Sequence, residues 1–333
     1  MARELASVEF VANPFQRALD KARSIGPRWV LNLVLYAVLI DMGFVYFLPL
    51  AFMVLTSFKS PLDLENPTVV WLPTQLFVQN YTFSWEQLSY IPAVERTLIW
   101  VAVATLGQIF STALVGYGFA RYSRRFKIAD VLFLLAVFTF LVPPQTIVVS
   151  LFLNFKLLGW LNTYYPLTVP EWFAQGLRGA FFIFIFRQAF KALPYELEEA
   201  ARVDGAGPLS IFFRVMLPLV KPSLSVALVF SVVWHWNTTF GPSNFLQENY
   251  KAWPLSMELQ EFQNAVLTQN NQMAQASQMM TQSGATSSPN TVTSADQGAI
   301  MAAVVLVILP PVLFYLLIQR TFVQGIERTG LIE

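Results

Sequence analysis

Pro194-Tyr195-Glu196-Leu197-Glu198-Glu199-Ala200-Ala201-Arg202-Val203-Asp204-Gly205-Ala206-Gly207-Pro208, running on through Leu217-Pro218 to Pro222, is a charged island between two long apolar segments. Pro194 suits a helix start, where its missing N–H costs nothing, and Glu196, Glu198 and Glu199 complement the positive end of the helix dipole. Gly205 and Gly207 permit the left-handed turn that ends this first leg, and Pro208 opens a second one that closes near Leu217-Pro218. The product is a helix-turn-helix elbow. Leu197, Ala200, Ala201 and Asp204 share one face of its first leg, and the two alanines leave the backbone open to close approach by another protein.

Working outward, composition sets the class. The chain of 333 residues is 55% hydrophobic and 12% charged, with a mean hydropathy of +0.52; soluble domains carry roughly 25% charged residues. An all-α membrane protein is expected. The net charge of +1 gives no global basic surface for nucleic acid, and the absence of cysteine removes disulfide, zinc-thiolate and thiol chemistry. Residues 1–28 are polar and read as a cytoplasmic tail rather than a cleaved signal peptide, so the first span is expected to act as an uncleaved anchor.

Six apolar segments are long enough to cross a bilayer, over about 29–58, 94–118, 128–149, 172–190, 223–240 and 298–317. The third contains Val142-Pro143-Pro144-Gln145, a predicted kink, because proline removes a backbone hydrogen bond. Six spans place both ends of the chain on one side. Sixteen of the 21 Lys and Arg residues fall in the tail, the second-to-third loop, the elbow and the C-terminus, so those segments are expected in the cytoplasm.

Glu199-Ala200-Ala201-x-x-Asp204-Gly205-Ala206, followed by Leu217-Pro218, resembles the "EAA" loop of the membrane-spanning subunits of bacterial ABC importers, in the sugar branch to which the maltose permease belongs. Further patches carry the same resemblance. They are Asn80-Tyr81, Tyr117-Gly118-Phe119-Ala120-Arg121, Leu158-Gly159-Trp160-Leu161-Asn162-Thr163, Trp234-His235-Trp236-Asn237 and Gln319-Arg320-Thr321-Phe322-Val323-Gln324-Gly325. Where relatives often have Asn-Ser at the entry to the second span, this chain has Glu95-Arg96.

The resemblance implies a six-helix permease of type I importer architecture over 29–333, in a bacterial cytoplasmic (inner) membrane. Its loop 191–222 would be the coupling helix, with Glu198, Glu199, Ala200, Ala201, Asp204, Gly205 and Ala206 meeting a separate ATP-binding subunit. The implied partners are a second permease, two ATP-binding subunits, an extracytoplasmic solute-binding protein, membrane lipid and a sugar or oligosaccharide. ATP and magnesium would belong to the partner ATPases. This chain has no Gly-x-x-x-x-Gly-Lys-Ser/Thr cradle, and no catalytic, cofactor or metal residues are expected in it.

A Gln/Asn/Ser/Met-rich insertion at 263–293 departs from the resemblance. Leu259, Phe262, Val266, Met273, Ala276 and Met280 recur at heptad-like spacing and predict an amphipathic helix to about residue 282. A turn at 283–290 and a capping box at Ser294-Ala295-Asp296-Gln297 would follow.

Two readings concern polar residues inside spans. Asp41 lies about 18 Å into the first span, near the midplane, where a carboxylate is either part of a pathway or paired with a partner subunit. The former use is the basis of an alternative function, an ion-coupled carrier. His235 and Asn237 either line a sugar route or belong to an aromatic helix packed against lipid or partner.

Overall fold

The computed structural model describes residues 28–123, 126–176, 178–282 and 295–330; the predicted turn at 283–290 and Ser294 of the capping box lie outside them. Among the described residues the ordered elements are all helical. Among the described residues three helices are long and apolar enough to span a bilayer unbroken. They belong to α1 (Arg28–Ser57), to α4 (Tyr90–Tyr122) and to the last helix, α14 (Ala295–Gly330). Short helices α2 (Pro61–Glu65) and α3 (Gln79–Gln87) connect the first two.

The other expected spans are broken. α5 (Lys127–Thr139) and α6 (Pro144–Leu157) meet at 97° across the Pro143-Pro144 step, a sharp corner rather than the expected kink, since consecutive prolines cannot continue the ladder. The expected fourth span at 172–190 is not one continuous helix either. α7 (Tyr165–Trp172) stops, residues 173–176 and 178 are non-helical, and α8 (Gly179–Lys191) has only 13 residues, about 20 Å. The elbow follows as α9 (Glu196–Val203) and α10 (Pro208–Leu219), which meets α11 (Lys221–Asn237) at 83°. Residues Ile211–Met216 of α10 form one wide π-helical stretch. The short α12 (Phe240–Phe245) leads to α13 (Leu255–Gln282). α13 ends where the heptad spacing placed it.

α4 is the axis of the bundle. Its two ends touch different layers. Near the start, Thr97 Oγ1 accepts the Leu255 N–H at 2.8 Å, and Arg96 pairs with Glu258 at 3.0 Å while donating to the Trp253 carbonyl. Near its end, Tyr117 and Arg121 reach the elbow. Thr97 and Tyr117 are twenty residues apart, about 30 Å, the hydrocarbon thickness of a bilayer. Arg96, the departure from the family pattern, therefore clamps α13 at the end opposite the elbow. Burial there pushes the Glu258 carboxyl up, and Arg96 opposes the shift.

Packing relies on small residues. Ala93, Ala104 and Ala113 of α4, with Ala302 and Ala303 of α14, are at most 1% exposed, which brings backbones together where lipid gives no hydrophobic drive. A Cβ on Gly116 would sit 2.7 Å from Phe186 Cβ and 3.0 Å from the Arg187 nitrogen. α4 and α8 thus touch at this glycine. Asn80 and Tyr81 fasten the end of α1: Asn80 Nδ2 donates to the carbonyls of Ser57 and Lys59 at 2.9 Å, and Tyr81 Oη lies 2.7 Å from Ser57 Oγ.

The turn after α1 supplies a pH prediction. Asp63 accepts from the Thr74 hydroxyl and shares a capping box with Ser60, and these hydrogen bonds hold its carboxyl below the usual carboxylate range. A depressed folded-state value means the stabilisation is present above about pH 4 and is lost as pH falls through the folded value. Proteolysis of the 66–74 loop is expected to accelerate below about pH 4 in the wild type. In Asp63→Asn it is expected to be fast already at pH 7; identical pH profiles would remove the role assigned to Asp63.

Candidate coupling elbow and a mid-depth polar site

The elbow is built as its sequence dictates. Gly205 has φ +79°, its N–H bonds the Arg202 carbonyl, and the Ala206 N–H reaches the Ala201 carbonyl, each at 3.0 Å. This pair of bonds is a Schellman stop. The carboxylates of the first turn divide. Glu199 is exposed, as are Ala200, Asp204 and Gly205, whereas Glu198 is 3% exposed. Glu198 accepts from Tyr117 Oη at 2.6 Å, pairs with Arg121 Nε at 3.1 Å and with Arg202 at 2.7 Å. Arg121 also donates to the Leu193 carbonyl and lies 4.3 Å over the Tyr195 ring. Tyr195 in turn donates to the Ala120 carbonyl at 3.1 Å. The elbow is strapped to the end of α4.

Ala201 and Ala206 lean on the buried aromatic layer of Tyr117, Phe190 and Phe212, so the predicted face splits. Glu199, Ala200, Asp204 and Gly205 face outward, joined by Val203 at 88% and Leu209 at 65% exposure. Exposed aliphatics among charges on so short an element suit a protein contact.

A second polar assembly lies halfway along α4. Gln108 is eleven residues from Thr97 and nine from Tyr117, about 15 Å from either end. Its Nε2 donates to Glu171 Oε2 at 2.6 Å, and its Oε1 accepts from Ser231 Oγ at 2.7 Å. His235 Nε2 lies 3.3 Å from Glu171 Oε1, and its Nδ1 lies 2.8 Å from the Ser231 carbonyl. A carbonyl only accepts, so Nδ1 carries a proton. All four side chains are buried.

Ser111 continues the strap, donating to the Glu171 carbonyl at 2.6 Å and accepting the Ala174 N–H at 3.1 Å. The network joins α4, α7 and α11 and reaches Ala174, just past the end of α7. It satisfies polar groups where lipid offers no partner.

The structure does not bring Asp41, His235 and Asn237 together. His235 is 2% exposed inside the bundle. Asn237 is exposed and bonds the Val233 carbonyl of its own helix at 2.8 Å. Asp41 stands on the exposed part of α1, without a hydrogen bond or ion pair among the described residues. Glu171, buried at mid-depth, is a site residue that the sequence reading missed; its signal in the sequence is a lone Glu bordering an apolar run, opposite Gln108 and the Ser231/His235 pair one turn apart.

Residues 112–328 match the family described as binding-protein-dependent transport system inner membrane component. The chain belongs to that family. This inner-membrane transport component is 28% identical over 294 residues to the polygalacturonan/rhamnogalacturonan transport system permease protein YtcP of Bacillus subtilis, covering 88% of this chain and 95% of that one. It is 28% identical to the lactose transport system permease protein LacG of Rhizobium radiobacter, covering 88% and 94%. It is 30% identical to the sn-glycerol-3-phosphate transport system permease protein UgpE of Yersinia enterocolitica, covering 67% of each. Its fold is similar to that of a chain in the crystal structure of a bacterial ABC transporter involved in the import of the acidic polysaccharide alginate, with a TM-score of 0.66, 21% identity and coverage of 88% and 96%. The matched region contains the elbow, Glu171, Ser231 and His235.

Proposed function

We propose that this permease is one membrane-spanning subunit of an ATP-driven sugar importer, paired with a second permease, two ATP-binding subunits and an extracytoplasmic binding protein. Support comes from the family, from relatives named for saccharide or glycerol-phosphate transport, and above all from the elbow. It is the one observation that carries the reading: a Schellman-stopped helix with an outward face of small, acidic and aliphatic residues, locked from behind to α4 through Glu198. The exposed residues Glu199, Ala200, Asp204 and Gly205 would meet the ATP-binding subunit. Glu198, Ala201 and Ala206 would hold the elbow in shape from inside.

The geometry explains how a motor subunit could act on the membrane. Closure of the motor would carry the elbow, the elbow would pull the end of α4 through the Glu198–Tyr117–Arg121 contacts, and the cavity would alternate between inward and outward access. ATP and magnesium are held by the partner subunits. Both termini and the elbow face the cytoplasm of a bacterial inner membrane, and α13 lies outside, where it extends the surface offered to the binding protein. Nothing at Asp41 favours the ion-coupled carrier.

Gly205→Val tests the elbow directly. Valine at φ +79° is strained, by about 1–3 kcal/mol, and the turn must reshape while the buried layer stays intact. Transport is expected to fall at least tenfold while the permease still inserts and co-purifies with the second permease. Undiminished sugar uptake by Gly205→Val would remove the elbow from the mechanism.

A further inference from the structure

α5 and α8 pack as antiparallel partners that end together. Arg187 pairs with Asp130 at 2.8 Å, Phe133 stacks on Phe184 at 6.4 Å, and Phe140 stacks on Phe181 at 6.0 Å. Each helix has 13 residues, so both stop about 20 Å above the elbow side. There α5 gives way to the Pro143-Pro144 corner, and the non-helical residues 173–176 and 178 precede α8. Irregular backbone at membrane depth is tolerated only inside protein or beside a water-filled cavity.

Arg178 sits at that point. It is exposed, has φ +60°, and immediately precedes Gly179, the first residue of α8. Its guanidinium lies 4.1 Å from the Trp234 ring centroid. Among the described residues no carboxylate pairs with it. The charge count leaves Arg178 on the side opposite the cytoplasm, within the expected fourth span; thirteen helical residues put it about 20 Å from the elbow side, still inside the hydrocarbon thickness. A charge there is retained where it faces water or an opposite charge. The Trp234 ring covers the guanidinium from one side, and the exposed side chain keeps N–H donors for a ligand.

We infer that Arg178, braced on Trp234, is a specificity-determining contact in the translocation path, and that the cargo is a sugar bearing an oxyanion, a carboxylate or a phosphate. The inference rests on the sugar-importer reading. A guanidinium offers two parallel N–H bonds to either group, and charge-assisted bonds in a site of low dielectric are the strong ones. Gln175, exposed on the same broken segment, adds an amide within that stretch for sugar hydroxyls. Neutral sugars gain little from Arg178, so the residue discriminates by charge.

The test uses the whole transporter, with its own partner permease, ATPase subunits and binding protein, in proteoliposomes. Uptake of a galacturonate disaccharide, a sugar phosphate and a neutral disaccharide is compared at equal concentration. The wild type is expected to prefer one of the two charged cargoes, and which one separates carboxylate from phosphate. In Arg178→Gln the ratio of charged to neutral uptake is expected to fall about tenfold, with much of it recovered in Arg178→Lys. A wild type that prefers the neutral disaccharide overturns the inference without needing any variant, and leaves the sugar importer standing. An equal fall of all three uptakes in Arg178→Gln overturns it as well, and assigns Arg178 to a carboxylate of the partner permease. Should no saccharide, charged or neutral, stimulate ATP hydrolysis, the sugar reading itself fails and this inference with it.

Discussion

Glu198→Ala is expected to destabilise the permease by about 3–5 kcal/mol, because it leaves Arg121 without its counter-charge in a buried site. The side chains of Arg121 and Glu198 are 4% and 5% exposed, so solvent cannot take over. Tyr117 loses its acceptor in the same step. In a chain of this length such a loss corresponds to a fall of about 10 °C in the melting temperature of the purified assembly. Glu198→Gln keeps the shape and an acceptor for Tyr117 but not the charge, and should fall between the two. Glu199→Ala provides the contrast. Glu199 is exposed, and its removal is expected to change stability by less than about 0.5 kcal/mol while weakening ATP-driven uptake. If Glu198→Ala melted with the wild type, the strap between elbow and α4 would have no energetic content.

The second large effect is expected at Glu171. Its replacement by alanine removes the acceptor of Gln108 Nε2 and the partner of His235 Nε2, and leaves a void beside both. A cost of about 2–4 kcal/mol follows from stranding buried donors. Gly176 supplies an independent handle, since a Cβ there would overlap the Glu171 carboxylate. Gly176→Ala must displace that carboxylate, so it is expected to reproduce much of the Glu171→Ala loss. The double variant should be clearly less destabilised than the sum of the two, as for residues in one network. Additive melting shifts would mean that Gly176 and Glu171 act separately, against the geometry at the break.

The two sites differ in how far the sequence revealed them, and the reason is physical. The elbow is punctuated locally: Pro194, the three glutamates, Gly205 and Pro208 each state a backbone requirement, and its helix bounds and left-handed stop follow from them. What stayed hidden is which glutamate turns inward. Glu198 and Glu199 are neighbours with the same chemistry, and only Tyr117 and Arg121, about eighty residues away in the chain, tell them apart.

The mid-depth network is assembled from residues 63 to 123 positions apart, which periodicity cannot pair. The broken fourth span was masked by composition. Trp172, Phe173 and the aromatic run after Gly179 read as one apolar stretch, and the break shows only as Gly176, Arg178 and two positive φ values at Ala174 and Arg178. Asp41 drew attention because it is charged within an apolar run. The exposed face of α1 shows that charge in a span identifies a question rather than a site.

The most direct measurement on the central claim uses the fact that the natural chain contains no cysteine. A single Ala200→Cys introduces one thiol on the outward face of the elbow without adding bulk. In the assembled transporter, a short thiol cross-linker is expected to join position 200 to the ATP-binding subunit in high yield, with a yield that changes when ATP is bound. A membrane-impermeant thiol reagent should reach it only from the cytoplasmic side. Labelling from the opposite side, or cross-linking that never includes an ATP-binding subunit, would contradict the assignment of this elbow as the coupling element.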